Sequence, residues 1–143
     1  MFFTKEFVVG ELIETRELVS QVHDKMYKED DRGIFRRNFC KEEFKNHGID
    51  NNVAQANISE NHHKYTLRGF HYQIAPFGES KTMTIIKGRI HDIIIDLRED
   101  SPTYLEWISF DLSPNERTSF HVPAGCANAF LTMEDNTLVH YYS

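Results

Sequence analysis

From Tyr65 onward the chain alternates short runs of branched and aromatic residues with turn signals, and this cadence most constrains its fold. Lys81–Ile86 runs into the turn signal Lys87-Gly88, and Arg89–Leu97 follows with the apolar centre Ile93-Ile94-Ile95. Asp100-Ser101-Pro102 breaks that run, Tyr104–Leu112 resumes, and Ser113-Pro114-Asn115 turns again. Ser119–Val122 stops at Pro123, which has no N–H to give a ladder. Ala127–Met133 and Thr137–Tyr142 form a last pair across Glu134-Asp135-Asn136. Short strands spaced by about 8 to 12 residues predict a sandwich or barrel. A jelly-roll barrel of roughly eight or more strands hides the most strand edges.

The first half is less regular. Phe7-Val8-Val9 and Leu18–Val22 are strand-like, Asp30-Asp31-Arg32-Gly33 reads as a turn, and Ile34–Phe39 as extended. Lys41–Gly48 predicts a helix of about two turns stopped by the glycine. Asn51–Ile58 is extended and the polar stretch Ser59–Lys64 reads as loop. The whole is an all-β domain over residues 1–143 with one or two short helices.

The formal charge of −6 excludes a general nucleic-acid binder, which needs a basic face. It leaves room for a local basic pocket drawn from Arg32, Arg36, Arg37, Arg68 and Lys81, of which Arg36 and Arg37 read rather as solvated surface charges. The two cysteines, Cys40 and Cys126, lack metal-knuckle spacing and fit a reducing cytoplasm. No charged leader with a long apolar run stands at the N-terminus, and no apolar stretch is long enough to span a bilayer.

Arg68-Gly69-Phe70-His71-Tyr72-Gln73 is the segment richest in chemistry. It sets a histidine, which titrates at about 6.5 when free, in an aromatic strand pattern. Lys81 opens the next strand and Tyr141 stands near the end of the last. Base, cation and phenol suit proton transfer beside a carbonyl, although a strand histidine is more often structural. Simple alternation puts Arg68 and His71 on opposite faces, so a shared site requires a twist or bulge at Gly69. His62-His63 makes a poor chelating pair, and His71, His91, His121 and His140 form a metal site only if the barrel brings them together. Trp107, Phe110 and Phe120 read as core or dimer-contact residues.

Several motifs in this order resemble a known family. They are Asp31-Arg32-Gly33-Ile34-Phe35, Gln55-Ala56-Asn57-Ile58-Ser59, Leu67–Gln73, Asp96-Leu97-Arg98, Ser101-Pro102-Thr103, Val122-Pro123-Ala124-Gly125 and Phe130-Leu131-Thr132. The chain is similar to the dTDP-4-dehydrorhamnose 3,5-epimerases, sugar-nucleotide epimerases of the cupin superfamily. The resemblance implies a homodimeric jelly roll acting in deoxysugar and polysaccharide biosynthesis. Its substrate would be a nucleotide-linked 4-keto-6-deoxy sugar, dTDP-linked, inverted at C3, C5 or both, with no cofactor and no metal. By position, His71 matches the base, Tyr141 the acid and Lys81 the group near the C4 oxygen. Arg32, Phe35, Gln55, Asn57 and Arg68 match residues that hold the nucleotide diphosphate.

Three departures accompany the resemblance. Asn128 fills a slot that carries histidine in the family, in reach of substrate but unable to titrate. Arg37 stands where the family has glutamate. Family members continue well beyond the position of Tyr141 and supply from there an aspartate that orients the base. The expectation is a domain short of that segment, with Asp92 and Asp96 as candidate substitutes. A sugar-nucleotide-binding cupin without catalysis, or a metal-dependent cupin, are the alternatives.

Overall fold

The computed structural model describes residues 28–46, 48–49, 52–74, 78–116 and 119–143. The strand-like runs at Phe7–Val9 and Leu18–Val22 lie outside the described residues. A small hairpin comes first, β1 (Lys28–Asp30) and β2 (Gly33–Phe35), turning at Asp31-Arg32. Helix α1 (Lys41–Asn46) follows, with Glu42 and Glu43 in its first turn and Lys45 in its last, the distribution the helix dipole favours. Gly48 ends it as expected, at φ +72° with its N–H donating to the Lys45 carbonyl at 3.1 Å. Its apolar side is small: Phe44 and Ile49 are buried, and Phe39 meets Phe44 edge-on at 5.0 Å.

Eight further strands build two four-stranded antiparallel sheets. They are β3 (Ala56–Asn61), β4 (Leu67–His71), β5 (Lys81–Lys87), β6 (Ile90–Asp96), β7 (Trp107–Leu112), β8 (Ser119–Val122), β9 (Cys126–Thr132) and β10 (Thr137–Tyr142). One sheet has the order β3-β10-β5-β8 and the other β4-β9-β6-β7. The chain changes sheet at every connection from β3 to β10 except the β6–β7 link, which gives the expected jelly roll. Side-chain alternation sets the two faces. Along β6 the residues Ile90, Asp92, Ile94 and Asp96 are buried while His91, Ile93 and Ile95 are half-buried on the other face. Met83, Ile85, Ile90, Ile94, Leu112, Phe120, Val122, Phe130 and Val139 form the core between the sheets. Burying one such side chain is worth about 1.5–3 kcal/mol.

Three expectations need correction. The extended run from Ile34 stops at Phe35 rather than Phe39. Ser59–Asn61 belong to β3 rather than a loop, because their alternate polar residues point inward. Asn61 is 2% exposed and donates to the Thr137 carbonyl at 3.1 Å. Tyr104–Glu106 form no strand, because Tyr104 and Glu106 bond back to Ser101 and Thr103 in consecutive turns. Of the three large aromatics assigned to core or dimer contact, Phe120 is fully buried and Phe110 meets it edge-on at 5.1 Å. Trp107 is 55% exposed, so it is not a core residue.

The β6–β7 connection is organised by Asp96. Its carboxylate accepts from the Arg98 guanidinium at 2.9 Å, from Ser101 and from Thr103. Burial pulls this carboxyl up, but those hydrogen bonds outweigh it and hold it well below the usual carboxylate range. Asp96 is therefore committed to a turn and does not serve as a partner for His71.

Candidate active site

The site forms where the ladder between β4 and β9 is irregular. Arg68 pairs with Phe130 and His71 with Asn128, so three steps along β4 match two along β9. The extra residue is a bulge, and it brings Arg68 and His71 onto one face. Gly69 makes this possible: its φ is +114°, and an added Cβ would lie 2.6 Å from the Asn128 carbonyl oxygen. The bulge that a shared site requires is thus present.

His71 faces the second sheet across a cavity of about 350 Å³. From that sheet come Lys81 of β5 and Tyr141 of β10; Asn128 of β9 stands beside His71 on its own sheet. An adjoining hollow of about 120 Å³ shares these four residues and adds Arg68 and Ser59. Lys81 Nζ lies 5.3 Å from the centre of the Tyr141 ring and 3.9 Å from Glu79 Oε1. The Arg68 Nε donates to Asn61 Oδ1 at 2.8 Å and its Nη2 to the Glu60 carbonyl at 3.3 Å. Both acceptors are neutral, so the guanidinium is fixed in place with its charge uncompensated by them.

Asn128 is held from below. Its Nδ2 donates to Asp92 Oδ1 at 2.9 Å, Asp92 Oδ2 at 2.7 Å and the Ile93 carbonyl at 3.2 Å. Burial pushes the Asp92 carboxyl well up, and the Asn128 bonds offset this only in part. Asp92 thus grips Asn128 rather than His71.

The remaining sequence candidates are spread out. Asn57 is the register partner of Tyr141, and directly paired residues share a face, so it stands on the inner side of β3. Gln55 is exposed at the approach to β3, its backbone paired to Ser143. Arg32 and Phe35 are not brought to the cavity. They sit on the exposed β1–β2 hairpin, Arg32 bonded to Asp30 at 2.6 Å and Phe35 73% exposed. Arg37 lies 3.7 Å from Glu43 of α1. Among the cavity residues not predicted from the sequence are the polar pair Ser59 and Glu79. The alternation Asn57-x-Ser59-x-Asn61 was the signal for the first, and the two-residue spacing of Glu79 from Lys81 for the second.

The histidines do not converge. His62 and His63 are exposed, His91 pairs with Asp111 at 2.7 Å, and His121 shares a hydrogen bond with Thr82 at 3.1 Å. His140 is on the outer face, its pKa lowered by burial. Among the described residues no three His, Cys, Asp or Glu side chains are grouped to hold a metal ion.

The profile of the dTDP-4-dehydrorhamnose 3,5-epimerase family matches residues 19–143. A curated dTDP-4-dehydrorhamnose 3,5-epimerase from Sinorhizobium fredii is 35% identical over 112 residues, 78% of this chain and 57% of that protein. The crystal structure of the corresponding enzyme from Bacillus anthracis, with TDP and PPi bound, superposes with a TM-score of 0.78 at 34% identity. That match covers 81% of this chain and 66% of the other. A 3'-monoepimerase from Streptomyces bikiniensis in complex with dTDP-quinovose gives 0.74 at 31% identity, covering 82% and 59%. The chain therefore spans less than two thirds of the length of these relatives. The shared architecture is the cupin jelly roll.

Proposed function

The chain belongs to the dTDP-4-dehydrorhamnose 3,5-epimerase family, and on that premise we propose that it epimerises a dTDP-linked 4-keto-6-deoxy sugar at one or both carbons beside the ketone. The observation that carries the reading is that His71, Lys81 and Tyr141 line one cavity, from opposite sheets. A ketone at C4 acidifies the hydrogens on C3 and C5, because the carbanion left behind spreads onto oxygen. Inversion then needs a base on one face of the ring and an acid on the other. His71 on β4 removes the proton, and Tyr141 on β10, across the gap between the sheets, returns one to the opposite face. Lys81 meets the enolate oxygen; a donor of this kind is worth about 3 to 4 kcal/mol.

Arg68 suits the diphosphate, since its planar fork is always charged and here is held by neutral oxygens. Asn57 and Gln55 complete the nucleotide site in this proposal, on the strength of the family positions they match; Arg32 and Phe35 match such positions too but stand outside this cavity on the β1–β2 hairpin. We place the protein in the cytoplasm as a homodimer. Exposed apolar residues such as Ile58, Leu67 and Phe70, at the edge strands of both sheets, support a partner on that side.

The test is exchange with solvent. The full chain, incubated in D2O with the dTDP-linked 4-keto-6-deoxy sugar, should remove the C3 or C5 proton signal and add about one mass unit per exchanged carbon. Binding of the sugar nucleotide with no exchange would reduce the protein to a non-catalytic binder and overturn the proposal.

A further inference from the structure

Residue 128 offers the cavity an atom of fixed character. Asn128 is 6% exposed and lines both the main cavity and the adjoining hollow. Its Nδ2 lies within hydrogen-bond distance of three oxygens, two from the Asp92 carboxyl and one from the Ile93 carbonyl. An amide turned over would set its own oxygen against them. The Ile93 carbonyl can only accept, so the orientation holds whether the Asp92 carboxyl, raised by burial, carries a proton or not. Oδ1 is thus the polar atom that Asn128 turns to the cavity, and an amide oxygen only accepts. Lys81 and Arg68, on the walls around it, only donate.

Donors and acceptors then sort a sugar ring. A ketone oxygen only accepts, so it belongs at Lys81 and is turned away by Asn128. A hydroxyl donates, so it belongs at Asn128. Because Asn128 is the cross-strand partner of His71, a hydroxyl it holds lies next to the carbon over the base. We propose that Asn128, its amide locked by Asp92 and Ile93, is a specificity-determining residue that selects sugars with a free hydroxyl beside the reacting carbon. The inference rests on the epimerase reading and adds to it a rule for the substrate.

The experiment measures affinity for unreactive dTDP-6-deoxyglucose and for analogues in which the 2- or 3-hydroxyl is replaced by hydrogen or by fluorine. At one of these positions the wild-type protein should lose about tenfold on removal of the hydroxyl. It should lose at least as much on fluorination, since fluorine cannot donate to an acceptor. Asn128→Ala should bind the parent about tenfold more weakly and no longer distinguish it from the deoxy and fluoro analogues. The fluorine series needs no protein variant, so poor folding of Asn128→Ala would not remove the test. Tight binding of both fluoro analogues by the wild type, or unchanged discrimination in Asn128→Ala, would overturn the assignment. Failure of the protein to bind dTDP at all would instead strike the epimerase reading on which it stands.

Discussion

Replacing His71 by alanine is expected to slow solvent exchange at the sugar by at least about a hundredfold, the lower end of what a positioned base contributes. dTDP affinity should stay within roughly twofold to threefold, because the nucleotide contacts assigned to Arg68 and its neighbours are separate from the imidazole. The asymmetry is the informative part. His71 sits on the cavity wall formed by the β4 bulge, with Asn128 at its side and Lys81 and Tyr141 opposite. Glu79 lines the cavity as well, its carboxylate 3.9 Å from Lys81. Loss of exchange with retained dTDP binding isolates the imidazole as the base. Equal loss of both would mean that the substitution had collapsed the cavity.

Gly69→Ala should damage stability and activity together. The new Cβ would lie 2.6 Å from the Asn128 carbonyl oxygen and 2.8 Å from the Ala129 Cα. Both are backbone atoms of β9, which is hydrogen-bonded on its other side to β6 and has no room to retreat. Strain adds to the clash, because a φ of +114° is a region that residues with a side chain rarely adopt. Strand β4 must lift away, and with it His71. The expected loss is about 2–4 kcal/mol of stability, read from denaturant unfolding, together with exchange activity. Gly78→Ala is the control for stability: its Cβ would meet only Ala124 at 3.8 Å and Gln73 at 3.9 Å, ordinary contacts. A Gly69→Ala protein as stable as wild type would show that the bulge does not depend on the glycine.

Much of the fold was legible because alternation and turn chemistry agreed. Thr137–Tyr142 starts and ends where its pattern of apolar residues and the preceding Glu134-Asp135-Asn136 turn put it. The pattern misled where the inner face is polar. Ser59 and Asn61 look like loop residues, yet Asn61 is buried to anchor Arg68 and to cap the Thr137 carbonyl. A hydrophobicity pattern cannot see a polar group whose partners come from strands far away in sequence. The same limit hid Asp92, whose partner Asn128 lies thirty-six residues on. It also hid the opposite fate of Asp96, which is spent on a local turn. The requirement for a bulge between Arg68 and His71 followed from counting faces, with Gly69 as the one residue able to supply it. Motif resemblance named Arg32 and Phe35 but gave no address for them, and they stand on a separate hairpin.

The central claim is that His71 and Tyr141 act on opposite faces of one ring, and Tyr141→Phe tests it most directly. The measurement is deuterium incorporation at C3 and C5 beside the configuration of the recovered sugar, in one sample followed by NMR. With the base intact and the acid removed, exchange should continue while inversion falls by at least about a hundredfold, since His71 can return a deuteron only to the face it took a proton from. Inversion at the wild-type rate in Tyr141→Phe would contradict the account, because the proton would then reach the far face without the phenol.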